Sequence, residues 1–195
     1  MPQQESAPTP LLAIRDVSVA FGGIRALDGI SFHLERGHIL GLIGPNGAGK
    51  TTLFNCLSRL YTLSDGLRLP GMRRAEERID GIVDELIAYL DLGSVADLPM
   101  AGLPFGTLKR AELARALAVG PKLLLLDEPA GGLNHDEIGE LGRLIRRIRD
   151  ERAVTVLLVE HHMNLVMGIS DKVVVLNFGR KISEGDPAGV QADAE

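Results

Sequence analysis

Short apolar runs alternate along the chain with longer segments in which apolar residues recur every three or four positions. The short runs predict buried strands, and the longer segments predict amphipathic helices. Strands are predicted at 11–19, 30–35, 39–43, 123–126, 154–159, 173–176 and 181–184. Helices are predicted from residue 53 to about 60 and at 73–91, 107–118, 135–151 and 162–169. Strands that alternate with helices indicate an α/β fold with a mostly parallel sheet.

A glycine-rich turn follows the strand predicted at 39–43. It fits the pattern G-x-x-x-x-G-K-[ST], and an ordinary structural β–α turn is the alternative. The glycines let backbone N–H groups point inward, where they and the positive end of the next helix can bind phosphate oxygens. Lys50 can reach the β- and γ-phosphates, and the Thr51 hydroxyl can bind Mg²⁺. The predicted nucleotide-binding residues of this phosphate loop are Gly44, Pro45, Asn46, Gly47, Ala48, Gly49, Lys50, Thr51 and Thr52.

Two acidic residues, Asp127 and Glu128, follow the apolar strand predicted at 123–126. Two acids at a strand end can be a solvent-facing cap. Beside a phosphate loop, however, carboxylates at the mouth of a parallel sheet are where Mg²⁺ needs a partner. We therefore predict that Asp127 holds the hydration shell of the ion and that Glu128 is the general base for the attacking water.

The next apolar strand, at 154–159, is followed by Glu160, His161 and His162. A histidine at a strand end can donate a hydrogen bond to a γ-phosphate, and this role is predicted for His161. Metal binding by the His161–His162 pair is disfavoured, because neighbouring side chains on an extended chain point to opposite sides.

Composition narrows the function further. The net charge of −5 and the pI near 5.6 argue against a nucleic-acid binder, as does an aromatic content of only 4%. The single cysteine, Cys56, excludes an internal disulfide and is predicted to be a buried apolar residue. The first residues lack the pattern of a secretory signal, and no apolar stretch approaches the roughly 20 residues that span a bilayer.

The phosphate loop, the Asp-Glu strand end and the strand-end histidine, in this order, resemble the nucleotide-binding subunits of ATP-binding-cassette (ABC) transporters. Phe21 matches the family's aromatic residue that stacks on adenine. Leu103, Pro104, Phe105, Gly106 and Thr107 stand where the family signature normally reads Leu-Ser-Gly-Gly-Gln. Gly132, Leu133 and Asn134 match the loop that crosses the dimer interface. The segments 103–117 and 160–185 are most similar to the ATPases of branched-chain amino acid importers.

The resemblance covers residues 11–185 and implies a P-loop NTPase (ABC ATPase) fold. This fold has a mostly parallel core sheet, a small antiparallel β subdomain and a truncated helical subdomain, here at about 72–118. Residues 1–10 and 186–195 are predicted to be tails. The resemblance also implies that two ATPase subunits, as a homodimer or a heterodimer, enclose ATP and Mg²⁺. Each phosphate loop then faces the signature of the other subunit, and the charge of the transition state is met by Lys50, Mg²⁺, the amides of the phosphate loop and His161.

The same resemblance implies the partners: transmembrane permease subunits and, indirectly, a solute-binding protein. It places the chain in the cytoplasm, peripheral on the inner face of the plasma membrane.

The sequence departs from the family pattern in two places. Pro104 and Thr107 replace the serine and glutamine of the signature, which related importer subunits also tolerate. In addition, only 51 residues lie between Thr51 and Leu103, several tens fewer than in the family. The missing part includes strands and a loop whose glutamine contacts Mg²⁺ and water. The glutamines of this chain are Gln3, Gln4 and Gln191, all in predicted tails. Loss of an internal strand is expected to lower stability, hydrolysis and coupling.

Three functions remain open from the sequence. The leading hypothesis is an ATPase that powers an importer, most similar to those for branched-chain amino acids. The second is a module that binds ATP and dimerises with little or no hydrolysis, because the glutamine loop is absent. The third is a soluble ABC ATPase without a transporter, although such proteins usually carry a second cassette or large insertions.

Overall fold

A computed structural model describes residues 10–58 and 72–193, with side chains from residue 81 onward in the second range. Seven strands lie in it: β1 (Leu12–Phe21), β2 (Ile24–Leu34), β3 (Ile39–Ile43), β4 (Leu123–Asp127), β5 (Thr155–Val159), β6 (Lys172–Asn177) and β7 (Arg180–Gly185). Six α-helices accompany them: α1 (Lys50–Ser58), α2 (Met72–Tyr89), α3 (Phe105–Leu117), α4 (His135–Arg152), α5 (Met163–Ile169) and α6 (Pro187–Ala192). A short 3₁₀ helix covers Gly93–Val95.

The described strands form two sheets, and the predicted α/β fold is confirmed. Five strands lie in the order β4-β5-β3-β6-β7, with β4, β5, β3 and β6 parallel and β7 antiparallel to β6. The strands β1 and β2 form a separate antiparallel pair. Chain order and spatial order differ, so the strand ends that carry polar residues come from distant parts of the sequence.

The centre of the five-stranded sheet is apolar on both faces. All five residues of β3 and all five of β5 are buried, and only Thr155 among them is polar. Parallel strands covered on both faces read as continuous apolar runs, which is why these two strands were predictable. This close-packed centre gives the polar groups at its edge a fixed support.

The chain divides into two compact units, residues 1–59 with 122–195 and residues 60–121. The first holds both sheets and the helices α1, α4, α5 and α6. The second includes α2 and α3, and the helical remnant predicted at about 72–118 falls within its limits.

The described strands of the larger sheet leave no gap between neighbours. The five strands form a continuous ladder, and β4 lies at its edge. Leu124 and Leu126 on β4 are buried, while Leu123 and Leu125 on the opposite face are only half-buried. Among the described strands, β4 is therefore an edge strand with one buried and one half-buried face.

Two smaller predictions were wrong. The second strand begins at Ile24 rather than at residue 30, because it pairs along its whole length with β1, from Leu34 to Ile24. Polar residues at 25 and 28 hide this strand from a periodicity argument. Cys56 is exposed rather than buried, although it lies one turn after the buried Leu53 on α1.

The predicted tail at 186–195 was also wrong. Residues Pro187–Ala192 form α6, which contains Gln191. The carboxylate of Asp186 caps this helix by accepting from the Gly189 N–H at 2.7 Å, and Val190 is buried. A capping acid followed by proline is a helix start signal. The tail predicted for 1–10 lies outside the described residues except for its last residue.

No helix in the described parts of the chain combines the length and apolarity that a membrane crossing requires.

Candidate nucleotide-binding and hydrolysis site

The carboxyl ends of β3, β4 and β5 lie side by side at one edge of the sheet. Val159, the last residue of β5, pairs with Leu42 on one side and with Asp127 on the other. The phosphate loop, the acidic pair and the histidines follow these three strand ends. The parallel register therefore brings together all three predicted motifs, at the edge where α/β proteins bind ligands.

The phosphate loop is closed by its own hydrogen bonds. The Ala48 N–H donates to the Pro45 carbonyl at 3.1 Å, and the Leu53 N–H donates to the Gly49 carbonyl at 2.9 Å. The buried Lys50 ammonium donates to the carbonyls of Gly44 at 2.7 Å and Pro45 at 3.0 Å. Because α1 begins at Lys50, the N–H groups of its first turn have no carbonyl partner within the helix and are suited to bind an anion.

The phosphate loop is supported from behind by the turn between β6 and β7. The Gly179 N–H donates to the Ala48 carbonyl at 3.1 Å, and the Gly179 carbonyl accepts from the Asp28 N–H at 2.8 Å. Gly179 has a φ of +75°, and a Cβ there would lie 2.6 Å from the Ala26 oxygen. This support was missed from the sequence, which predicted only the strands at 173–176 and 181–184 on either side of the turn.

An ion-pair cluster joins β2 to β7. The carboxylate of Asp28 on β2 accepts from Arg25 at 2.6 Å and from Arg180 on β7 at 2.8 and 2.7 Å. Hydrogen bonds from Arg25 and then Arg180 hold the pKa of Asp28 below its ordinary value. The cluster is exposed, so its contribution to stability is screened by solvent.

Asp127 and Glu128 lie where predicted, at the end of β4. Burial, the negative charge of Glu128 and that of Glu160 raise the pKa of Asp127, and the Lys50 ammonium opposes this effect. Lys50 and Asp127 therefore interact, although they belong to different strand–loop units. Glu128 has a φ of +46°, and its N–H donates to the Val159 carbonyl at 2.8 Å. Such a conformation is uncommon for a non-glycine residue and is often found at functional positions.

His161 lies next to the acidic pair. Its Nδ1 atom is 3.6 Å from Oε1 of Glu128, and both side chains are about half exposed. The structure thus brings together Lys50, Glu128 and His161, which were predicted for catalysis, and Asp127, which was predicted for magnesium. Their roles stay predictions.

The sequence did not single out Glu160, which is completely buried between the loops that follow β4 and β5. Its carboxylate accepts hydrogen bonds from Ala130, His161 and His162. An acidic residue directly after a strongly apolar strand was the available signal, because a buried carboxylate requires partners. Glu160 also forms, with His161 and His162, a group of potential metal ligands whose atoms lie within 4.8 Å of one another. These hydrogen bonds already occupy its oxygens, which disfavours a metal there.

The loop predicted to cross a dimer interface continues into α4. Asn134 caps this helix by accepting from the Glu137 N–H at 3.0 Å, and the Glu137 carboxylate accepts from the Asn134 N–H at 2.8 Å. This capping box fixes the end of the loop at which α4 begins. Gly132 is exposed and has a φ of +81°, and Leu133 is half-buried.

The degenerate signature lies at the start of α3, in the second unit. The helix begins at Phe105, two residues before the predicted start, and Pro104 is its N-cap without a side-chain hydrogen bond. Gly106 and Thr107 are half-buried and lie in the first turn, Leu103 is half-buried and Phe105 is exposed. The Lys109 ammonium lies 5.4 Å from the centre of the Phe105 ring. The first-turn N–H groups are therefore at a helix N-terminus, as the predicted phosphate contact requires.

Phe21, the predicted adenine contact, is the last residue of β1, and its side chain is 62% exposed. It precedes a turn at Gly22 and Gly23, both with positive φ. An exposed aromatic face at this end of the small sheet is available for stacking.

A cavity of about 550 Å³ lies between α4 and α5. Arg143, Arg146 and His162 contribute to its lining, but no residue of the phosphate loop does. It is therefore separate from the predicted nucleotide site.

Comparison with known proteins supports the reading of these motifs. The family described as "ABC transporter" matches residues 27–73. The branched-chain amino acid transport ATP-binding protein BraF of Pseudomonas aeruginosa is 30% identical over 239 residues, covering 93% of this chain and 94% of BraF. The zinc import ATP-binding protein ZnuC 1 of Hahella chejuensis is 38% identical over 193 residues, covering 87% of this chain and 76% of that protein. Among solved structures, cbiO1 of Clostridium perfringens, part of the ABC transporter complex cbiONQ, has a TM-score of 0.83 at 25% identity and covers 95% of this chain and 92% of cbiO1.

The alignment with BraF also measures the shortening. It runs over 239 residues, whereas 93% of this 195-residue chain amounts to about 181 residues. About 58 aligned positions of BraF therefore have no counterpart here. Identity over nearly the full length of the relative, the matching fold and the assembled motifs lead to one conclusion: this chain belongs to the family of ATP-binding, ATP-hydrolysing subunits of ABC transporters.

Proposed function

We propose that this chain hydrolyses Mg²⁺-ATP to power an importer for branched-chain amino acids. The observation that carries the hydrolytic part is the meeting of Lys50, Asp127, Glu128 and His161 at the carboxyl edge of the sheet. Each side chain is of the type that phosphoryl transfer to water requires. The solute is inferred from similarity to BraF and to other branched-chain amino acid transport proteins.

The nucleotide would be held at three places. The adenine would stack on Phe21, and the phosphates would accept from the N–H groups of the phosphate loop and of the first turn of α1. The Lys50 ammonium, which donates to the Gly44 and Pro45 carbonyls, would exchange these partners for phosphate oxygens.

The residues at the site fit a magnesium ion. Carboxylate and hydroxyl oxygens are its preferred protein ligands, and Asp127 and Thr51 supply one of each. Burial, and after it the negative charges of Glu128 and Glu160, raise the pKa of Asp127. A divalent cation would relieve this repulsion and neutralise charge on the phosphates.

Hydrolysis would need a base for the attacking water and a hydrogen-bond donor to the γ-phosphate. Glu128 would take the proton of the water as it attacks the γ-phosphorus. His161 would donate to a γ-phosphate oxygen and, at 3.6 Å from Glu128, would help to fix that carboxylate. Lys50 would meet the charge that develops on the transferred group.

The working form would be a dimer, of two copies or with a sister ATPase. The α3 N-terminus at Leu103–Thr107 would contact the nucleotide on the other subunit, and Gly132–Asn134 would lie in the interface. Permease subunits would hold the dimer at the inner face of the plasma membrane, and a solute-binding protein would deliver the solute.

A module that binds ATP and dimerises with little hydrolysis is the second candidate. It is favoured by the roughly 58 unmatched positions and by the absence of any glutamine between residues 5 and 190. In this case, Glu128 would be intact but no residue would fill the family's glutamine role.

Steady-state hydrolysis of Mg²⁺-ATP by the purified chain separates the two candidates. Turnover that disappears in both Lys50→Ala and Glu128→Gln supports the ATPase. Absence of turnover, together with ATP binding that Lys50→Ala removes, supports the binding module.

The solute is tested in the source organism by deleting the gene and measuring uptake of labelled leucine and of labelled zinc. Loss of leucine uptake that the original gene restores, but Lys50→Ala does not, supports the proposal. Loss of zinc uptake alone assigns the chain to a zinc importer instead.

A further inference from the structure

Glu160 is a buried carboxylate between two loops of the proposed hydrolytic site. Its side chain is completely inaccessible, and it is the only acid among the buried residues of the described chain. Burial of an unpaired carboxylate is costly, so the surroundings of Glu160 must supply donors.

The two oxygens of Glu160 bind different loops. Oε1 accepts from the Ala130 N–H at 2.8 Å, and Ala130 lies two residues after Glu128. Oε2 accepts from the N–H groups of His161 at 2.9 Å and His162 at 3.2 Å, and it lies 3.0 Å from Nδ1 of His162. Because a charged carboxylate only accepts, this geometry places a proton on Nδ1 of His162.

The charge of Glu160 is maintained in spite of burial. Burial favours the neutral acid, but the hydrogen bonds from Ala130, from the His162 ring and from the N–H groups of His162 and His161 outweigh it and hold the pKa of Glu160 below its ordinary value. At neutral pH Glu160 is therefore ionised and accepts hydrogen bonds from four donors in the two loops.

We propose that Glu160 is a positioning residue for ATP hydrolysis, which holds the loops after β4 and β5 together and thereby fixes Glu128 relative to His161. The Glu128 N–H donates to the Val159 carbonyl at 2.8 Å, and the N–H of Ala130, two residues later in the same loop, donates to Glu160. His161 is tied to the same carboxylate by its backbone N–H. The inference rests on the proposed roles of Glu128 and His161.

A carboxylate is required because both ends of the group must accept. In Glu160→Gln, one oxygen becomes an NH₂ donor that faces either the Ala130 N–H or the N–H groups of the histidine loop. Whichever way the amide turns, one loop loses its acceptor. Misplacement of a catalytic group by about 1 Å can reduce the rate about 100-fold. We expect kcat to fall about 10- to 100-fold, while the dissociation constant for ATP changes less than about twofold, because no phosphate-loop contact is altered.

The experiment is a double-mutant cycle on the full chain. It measures kcat and the ATP dissociation constant for the original chain, Glu160→Gln, His161→Ala and the double variant. If Glu160 acts through the loop of His161, the second substitution adds little to the first. The exposed Glu151→Gln is the matched control and should leave kcat unchanged.

The outcomes separate the proposals. If His161→Ala leaves kcat unchanged, the proposed role of His161 fails. If His161→Ala lowers kcat but Glu160→Gln does not, or if the two effects multiply, the inference about Glu160 is overturned. Should Glu160→Gln not fold, Glu160→Asp carries the test, because it keeps both acceptor oxygens on a shorter side chain. It should lower kcat at unchanged ATP affinity, and a kcat equal to that of the original chain overturns the inference.

Discussion

The Nδ1 atom of His161 lies 3.6 Å from Oε1 of Glu128, although the two residues belong to loops that follow different strands. The contact is possible because β4 and β5 are adjacent and end in register, with Asp127 paired to Val159. A proposed base and a proposed phosphate contact are thus held as one unit, and substitutions in either loop should affect the same step of the reaction.

Glu128→Gln should abolish turnover and leave ATP binding intact. The amide cannot accept a proton from water, and loss of a general base reduces rates about 10²- to 10⁴-fold. Hydrolysis and equilibrium ATP binding are measured in parallel, with Glu151→Gln as the control for loss of one exposed acid. A turnover within twofold of the original value would remove Glu128 from the mechanism.

Lys50→Ala should weaken ATP binding. The ammonium is buried in the phosphate loop, where it donates to the Gly44 and Pro45 carbonyls, and no other residue of that loop carries a positive charge. A hydrogen bond to a charged group contributes about 1.5–3 kcal/mol, so affinity should fall about 10- to 100-fold. Calorimetric titration with ATP measures this, and the exposed Lys122→Ala is the control. Equal affinities of the two variants would contradict the assignment of the loop.

Asp127→Asn should make the fold more stable while it removes activity. The pKa of Asp127 is raised by burial and by the charges of Glu128 and Glu160. A carboxyl group with a raised folded pKa contributes stability that is complete below its unfolded pKa and is lost as pH rises through the folded pKa.

Denaturant unfolding of Asp127→Asn at a series of pH values checks this sign. The variant and the original chain should have similar unfolding free energies below the ordinary pKa of Asp, and the variant should be the more stable at neutral pH. The exposed Asp97→Asn should show no such difference. A variant that is less stable at neutral pH would mean that Asp127 makes favourable contacts in the charged form.

Gly179→Ala should damage both the fold and the nucleotide site. A methyl group there meets the Ala26 oxygen at 2.6 Å in a backbone conformation with a φ of +75°. The backbone conformation alone costs about 1–2 kcal/mol for a non-glycine residue, and the clash adds to this.

Gly37→Ala is the matched control for Gly179→Ala, because Gly37 has a φ of +71° but open space around it. Thermal unfolding and ATP affinity are compared for both variants. We expect Gly179→Ala to be the less stable and to bind ATP more weakly, because Gly179 supports the Ala48 carbonyl. Equal stability of the two variants would show that the contact with β2 is not tight.

Inserting the residues of BraF that align between Thr51 and Leu103 should raise both the melting temperature and kcat. By the family resemblance, this segment is expected to carry the strands and the glutamine that the present chain lacks. A flexible Gly/Ser segment of equal length is the control and should raise neither. No gain from the BraF segment would mean that the shortened chain has become independent of it.

The amino-acid sequence by itself determined the α/β class and the positions of the phosphate loop, the acidic pair and the strand-end histidine. These features are local: a buried strand is a continuous apolar run, and a phosphate loop needs glycines and lysine at fixed spacing. The start of β2 and the helix at Pro187–Ala192 were not found, because one depends on pairing with β1 and the other on a short capping signal.

Only the tertiary structure decided which distant groups meet. The contact of His161 with Glu128 and the binding of two loops by Glu160 follow from the parallel pairing of β4 with β5, and the support of Ala48 by Gly179 follows from the pairing of β3 with β6. The edge position of β4 was decided in the same way. Sequence spacing constrains neighbours along the chain, whereas hydrogen-bonded register and burial select the neighbours across it.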